Sequence, residues 1–212
     1  MKRYKYPRTP HLLGSKGFTD DDIHVTNFDQ FEGNEVVITE KMDGEASSYY
    51  ADGYFHARSI DSRHHDSRSY IINQLSCLGH KLKDFDNIRI CGENCYAKHS
   101  IEYTDLEDYF LVYSVWDGEK CWDWLSTQLL CIDLDLVTVP ELYCGPFSKE
   151  ILEKIIKSLD LSKQEGIVIR NTQSFSLNEF DQNVAKWVRK GHVQTEDHWM
   201  NQKIVKNKLS IY

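Results

Sequence analysis

A chain of 212 residues has enough length for one substantial hydrophobic core, and with 41% apolar residues, 12% aromatics and only 4 prolines it is neither disordered nor fibrous. No 18-residue apolar run occurs and no apolar region follows Met1-Lys-Arg-Tyr-Lys, so the sequence predicts no membrane partner and a cytoplasmic location. The formal net charge of -8 argues against a surface coated in positive charge for gripping duplex DNA, and leaves room for a local basic groove.

In chain order, the cations gather first at Lys2 to Arg8, then at Arg58 to Arg68 together with His64 and His65, and last at Lys186 to Lys190. Each such cluster also reads as a solvated face. Glu35 to Glu40 and Glu45 to Tyr50 predict two strands flanking Lys41 to Gly44, and Ala51-Asp52-Gly53 is a hairpin signal leading to a third strand through Arg58. Tyr70 to Leu82 predicts a helix, Asn87 to Tyr96 and Tyr109 to Trp116 predict strands, and Asp117-Gly118 is a tight turn before Lys120 to Trp122. A helix is expected over Trp124 to Leu134. In the next one Ser148 is the cap and Ile151, Leu152, Ile155, Ile156 and Leu159 share one face. Gln164 to Arg170 and Asp181 to Arg189 predict further strands, and Thr195 before Glu196 and Asp197 predicts the start of a C-terminal helix. The sum is an α+β fold, with antiparallel β-sheets flanked by helices on their outer faces.

The six cysteines lack the short-looped spacing of a disulfide scaffold and are expected to be reduced thiols. Cys91 and Cys95 form the one close pair, without the second pair or histidines that zinc requires.

Lys41-Met-Asp43-Gly44 places an amine at the end of a strand, before a glycine that permits close backbone approach. Such a lysine becomes a nucleophile once desolvation or neighbouring positive charge lowers its pKa from about 10.4. Taken alone, the tetrapeptide reads more readily as an ordinary charged turn. It is followed in order by Arg58-Ser59, Gly92-Glu93, Phe110-Leu-Val-Tyr113-Ser-Val, Glu165-Gly166-Ile-Val-Ile-Arg170 and Ala185-Lys186-Trp-Val-Arg189-Lys190. From residue 40 to about 190 this series resembles the covalent nucleotidyltransferase superfamily of ATP-dependent polynucleotide ligases and capping enzymes. Thr39-Glu40-Lys41, Gly92-Glu93 and the opening Tyr6-Pro-Arg8-Thr-Pro-His11 are most similar to RNA ligases of the phage-type nick-sealing branch.

The resemblance implies a nucleotidyltransferase (adenylation) domain of the ATP-grasp-like ligase type over residues 1–190, with 191–212 as a short C-terminal helical extension of the same unit. Only 22 residues follow Lys190, too few for an OB-fold domain. It implies that Lys41 attacks the α-phosphate of ATP to form lysyl-AMP, that AMP passes to the 5′-phosphate of an RNA, and that a 3′-hydroxyl closes the bond. By the same resemblance Glu40 meets the adenine edge, Tyr113 stacks on the base, Gly44 admits the nucleotide, and Asp43 shapes the loop and helps place the metal or ribose. Arg58 contacts ribose and substrate phosphate, Glu93 bonds the ribose, and Glu165 binds Mg2+ (or Mn2+). Lys186 holds the α-phosphate. The family's last motif alternates two lysines, whereas Val188 stands two residues beyond Lys186, so Arg189 or Lys190 is the expected second cation. Mg2+ and these cations are expected to let Lys41 act near neutral pH.

Without the family, Tyr113 and Trp116 read equally as core aromatics, Glu93 and Glu165 as surface carboxylates, and His64-His65 as part of a polar loop. The alternatives to RNA repair by ligation are DNA ligation, capping, or a nucleotide- or RNA-binding module without catalysis. The last of these predicts substitutions at Lys41, Glu93, Glu165 or Lys186, and all four are present. A separate end-healing kinase-phosphatase is the expected partner if the chain does not act alone.

Overall fold

The computed structural model describes residues 1–17, 22–191 and 204–210. Strands β1 (Glu35–Lys41) and β2 (Glu45–Tyr50) are joined by Met42 to Gly44, but they belong to different sheets. The first sheet has the order β11-β9-β1-β8, formed by β8 (Glu141–Pro146), β9 (Gly166–Asn171) and β11 (Val184–Val188) with β1, all antiparallel. The second runs β10-β6-β5-β4-β2-β3. It comprises β3 (Phe55–His56), β4 (Ile88–Asn94), β5 (Phe110–Asp117), β6 (Lys120–Cys121) and β10 (Phe175–Ser176) with β2, and the short β7 (Val137–Thr138) adds in parallel to β5.

Side chains alternate across a strand, and in the first sheet this alternation separates two environments. Val36, Ile38, Ile167, Ile169, Ala185 and Trp187 point outward into a core with Leu12, Phe31 and Leu152. That core is roofed by α4 (Lys149–Ser158), whose N-cap Ser148 accepts from Ile151 N and whose Leu152, Ile155 and Ile156 carry the predicted apolar face. The other parity, Val37 and Thr39 on β1, Val168 and Arg170 on β9, and Val184 and Lys186 on β11, faces the second sheet, and a cavity lies between the two.

Expectation and structure part at several places. The helix predicted over Tyr70 to Leu82 begins earlier, as α1 (Asp66–Ser76), because His65 Nδ1 accepts from Ser67 N as a cap. It breaks at Cys77-Leu78, and α2 (Gly79–Leu82) is a separate turn starting at a glycine. Helix α3 (Trp124–Leu134) follows the prediction, capped by Asp123 accepting from Ser126 N at 2.8 Å. Residues Asp181 to Asn183, expected as strand, belong to α5 (Phe180–Asn183), which follows a turn capped reciprocally by Ser176 and Glu179. Edge strand β8 is not among the expected strands, and it carries Gly145 and Pro146, residue types that weaken a strand pattern.

The start of the expected C-terminal helix, Thr195 to Asp197, lies outside the described residues. Residues 204–210 are not helical. They run extended, bridging Ala97 through Lys206 and Leu106 through Leu209, because the loop at 95–106 offers backbone partners for strand-like pairing. The six cysteines are free thiols, and among the described residues no helix is long and apolar enough to cross a membrane.

Candidate active site

The chain crosses between sheets at Lys41 to Gly44, so the nucleophile candidate sits where the two sheets diverge. Lys41 pairs in register with Gly166, itself opposite Val188. A Cβ on Gly166 would collide with the Trp187 carbonyl oxygen, so glycine is required for β11 to approach β9 closely. Gly44 answers a similar need. A Cβ there would come within 2.5 Å of the Asn94 carbonyl oxygen, and its N–H donates to Glu93 Oε1 at 3.2 Å. Its glycine is demanded by β4 as well as by the cavity it lines.

The cavity is about 290 Å³ in volume, close to the lower end of the usual size for small-molecule sites. Lys41, Lys186, Arg58, Glu40, Gly44, Glu93 and Tyr113 all line it, so residues spread over nearly 150 positions converge on one cavity. Glu165 stands behind Lys41, nearly buried, with Oε2 at 2.9 Å from Lys41 Nζ. The Lys41 ammonium also donates to Met42 O at 3.0 Å. Arg189 and Lys190 do not line the cavity. The Arg189 backbone N–H donates to Glu165 O at 3.0 Å and fixes the backbone of that residue.

The electrostatics of the protein alone act on Lys41 in opposed directions. Burial works to lower the pKa of Lys41, but the carboxylates of Glu165, Glu93 and Asp43 more than offset it, and the net shift is upward. The protein's own carboxylates therefore favour the charged form of Lys41, whereas the expected neutral amine rested on Mg2+ together with neighbouring cations. Glu93 carries the reciprocal effect. Burial pushes its carboxyl up to about 7, Lys41 opposes this, and Glu165 adds to it. Lys186 is shifted down by burial and by the nearby Lys41 charge.

Asp43 turns away from the cavity. Its Oδ2 accepts from Ser100 N, Ser100 Oγ and Ile101 N at 2.7 to 2.8 Å, and its own N–H donates to Tyr103 Oη. These bonds tie the loop after Lys41 to the segment at 100–103. Glu40 is oriented by Gln164, whose Nε2 donates to Glu40 Oε2 at 2.7 Å while its Oε1 accepts from Asp160 N. Tyr113 sits opposite the register shift between Cys91 and Gly92, a bulge of the kind that re-aims side chains at sites. Its ring meets that of Tyr6 edge-on, centroids 5.0 Å apart.

Of the Arg58 to Arg68 cluster, Arg58 belongs to the cavity, whereas Arg68 makes a buried bidentate pair with Glu45 that ties α1 to β2. The sequence reading assigned no role here to Arg170, Trp124, Phe175 or Thr39, which also form the lining. Strand parity after Lys41 and Lys186 was the available signal for Thr39 and Arg170.

Among the described residues no group of three or more His, Cys, Asp or Glu is arranged to hold a metal ion. Mg2+ does not need one, since it takes one or two carboxylates together with substrate phosphates. Glu165, whose Oε2 lies 2.9 Å from Lys41 Nζ behind the cavity lining, is the carboxylate that would supply it.

Two sheets thus enclose a lysine, flanking carboxylates and a second lysine. The sequence profile described as RNA ligase matches residues 34–188, and the chain belongs to the RNA ligase family. A search of curated proteins finds no significant match. Among solved structures the chain is similar to an archaeal ATP-dependent RNA ligase, with 15% identity and a TM-score of 0.64 over 87% of this chain and 48% of that one. It is also similar to a Naegleria gruberi RNA ligase variant determined with ATP and Mn, with 16% identity and a TM-score of 0.56 over 89% of this chain and 63% of that one. The chain thus spans about half the length of the archaeal ligase.

Proposed function

We propose that the chain is an ATP-dependent RNA ligase acting through lysyl-AMP. The observation that carries this reading is the placement of Lys41 Nζ at a cavity shared with Lys186, Arg58, Glu93 and Tyr113 and braced by Glu165. In the first step the Lys41 amine, having lost a proton, attacks the α-phosphate of ATP and displaces pyrophosphate. Lys186 and Arg58 take up charge developing on the phosphate oxygens. Tyr113 offers an aromatic face to the base, and Glu40, steered by Gln164, accepts from the adenine edge. Glu93 bonds the ribose. The AMP then moves to an RNA 5′-phosphate, and a 3′-hydroxyl attacks that phosphate and displaces AMP.

Lys41 is held charged until substrate arrives. When bound beside Glu165, Mg2+ or Mn2+ supplies positive charge that offsets the carboxylates and favours the neutral amine. The ends joined are a 5′-phosphate and a 3′-hydroxyl, so in RNA repair a kinase-phosphatase that makes such ends is the natural partner. Residues 1–190 act as one nucleotidyltransferase unit, with the segment at 204–210 strapped onto it.

Incubation with radiolabelled ATP and Mg2+, with GTP and NAD in parallel, tests the reading by denaturing electrophoresis. A labelled chain from ATP is expected. Lys41→Ala abolishes the label, and Tyr113→Ala weakens ATP use without abolishing it. Label retained by the Lys41 variant would remove that residue as the nucleophile.

A further inference from the structure

Helices α3 and α4 are of similar length, and they meet solvent differently. On α4 the apolar side chains keep to one face while Lys149, Glu150, Glu153, Lys154 and Lys157 take the other, the division expected of a helix with one side in water. Helix α3 carries no lysine or arginine and is apolar on both sides. Trp124, Leu130, Cys131 and Leu134 are buried in the main core. Facing the other way, Leu125, Leu129 and Ile132 are 64%, 56% and 75% exposed. The polar side chains between them are engaged locally: Ser126 Oγ donates to Asp123 Oδ2, Thr127 Oγ1 to Asp123 O and Gln128 Nε2 to Glu141 Oε2. Other exposed large apolar side chains, such as Leu13, Ile23, Leu161 and Val205, stand on separate segments.

Leu125, Leu129 and Ile132 follow the i, i+4, i+7 spacing of a helix–helix seam. With more than half of each residue exposed, they offer on the order of 300 Å² of apolar surface, the scale at which a patch marks an interaction site. A helix that lies on lipid or grips nucleic acid carries cations on its polar face, and the outward side of α3 carries Asp133 instead. The seam therefore suits a protein surface, and a second copy of α3 matches it in spacing, charge and area. In an antiparallel pair with Leu129 on the two-fold axis, Leu125 of one copy packs beside Ile132 of the other. The two Asp133 residues then stand about 12 Å apart along the pair, at a rise of about 1.5 Å per residue, which exceeds a Debye length at physiological salt. Each also has the Lys81 ammonium beside it, donating to Asp133 O. A standard interface takes about 800 Å² per partner, roughly half of it apolar, and the stripe supplies most of that apolar share.

We propose that the exposed face of α3 is a homodimer interface, on which a second copy of this chain packs α3 against α3, antiparallel about Leu129. The test is sedimentation velocity of the unmodified chain from about 1 to 100 μM, the weak end of the range for interfaces of standard size. A species of twice the chain's mass is expected to grow in with concentration. Leu129→Glu is expected to weaken this association at least about tenfold, since it sets two buried like charges on the axis, and Leu161→Glu, at an exposed leucine elsewhere, to leave it unchanged. Oxidative cross-linking tests the geometry, in chains whose exposed Cys77 and Cys144 are replaced by serine. Leu129→Cys should link two copies, because the axis brings equivalent positions together. Leu125→Cys should not, its equivalents being about 12 Å apart along the pair, too far for a disulfide. A chain that stays monomeric throughout overturns the proposal, as does a dimer that Leu129→Glu leaves intact or one that links through Leu125→Cys and not Leu129→Cys. If Leu129→Glu does not fold, the cross-linking pair decides. None of these readouts uses ATP, so loss of the ligase reading leaves the dimer measurement standing.

Discussion

Glu93 and Glu40 are both carboxylates on which burial works against ionisation, and each gives a pH signature. The Glu93 carboxyl titrates near 7 in the fold and near 4.3 when unfolded. Between those values the folded state holds a proton that the unfolded state has released, so stability falls as pH rises through this window. Glu93→Gln should therefore melt with the unmodified protein at pH 4 and above it at pH 8, by up to roughly 3 kcal/mol. Metal-free thermal melts across that range check it, and a gap that did not grow with pH would refute the assignment. Glu40 is raised by burial and pulled back by its bond from Gln164. Gln164→Ala should raise it further, protonate more Glu40 in acid and cost the base an acceptor. The KM for ATP is expected to rise several-fold, more at pH 6 than at pH 8, in initial-rate labelling. The sequence identified Glu40 and Glu93 through their motifs, but it carried no sign of Gln164, whose role depends on an amide oriented by a backbone N–H four residues earlier.

Among the elements, the segment at 204–210 has the clearest mechanical role. Asn207 is buried, and its Nδ2 donates to Cys95 O at 2.8 Å while its Oδ1 accepts from Tyr103 N at 2.9 Å. Lys208 N and Ser210 N add bonds to Tyr103 O and Leu106 O. The strap therefore sets the loop whose Ser100, Ile101 and Tyr103 hold Asp43, two residues from Lys41. Asn207→Ala strands a buried carbonyl and a buried N–H, at a cost of about 2 to 4 kcal/mol. For a chain of this size that lowers Tm by roughly 5 to 15 °C. A melt within 1 °C of the unmodified protein, set against that range, would show that the strap does not hold the loop. Helical periodicity marked α4 well because its apolar stripe meets a single core. Strap and edge strand β8 lack such a stripe, being held mainly by backbone bonds to distant segments, and local pattern did not reveal them.

At the scale of the whole molecule, a net charge of -8 coexists with six cationic side chains around one cavity. Charge on the molecule at large repels a polyanion, while the cavity attracts one locally. In the proposed reaction, transfer of AMP to Lys41 involves a small nucleotide, whereas joining involves an RNA backbone with its counterions. Raising salt from 50 to 200 mM should slow sealing of a nicked RNA far more than self-adenylylation, because counterion release scales with the number of phosphates gripped. Parallel salt series for label uptake and for product formation measure this, and equal slopes would exclude an extended RNA-binding surface.

The sequence by itself determined the class of fold, most strands and helices, and the motif residues that converge on the cavity, because strand alternation, helix capping and turn glycines act over a few residues. Tertiary structure alone decided that Lys41 and Gly44 join two different sheets and that Arg189 stays off the cavity while residues 5–9 line it. It also decided which charges surround Lys41. A pKa depends on the distance to carboxylates such as Glu165, 124 positions away along the chain and 2.9 Å away in the fold, and no local pattern records that distance.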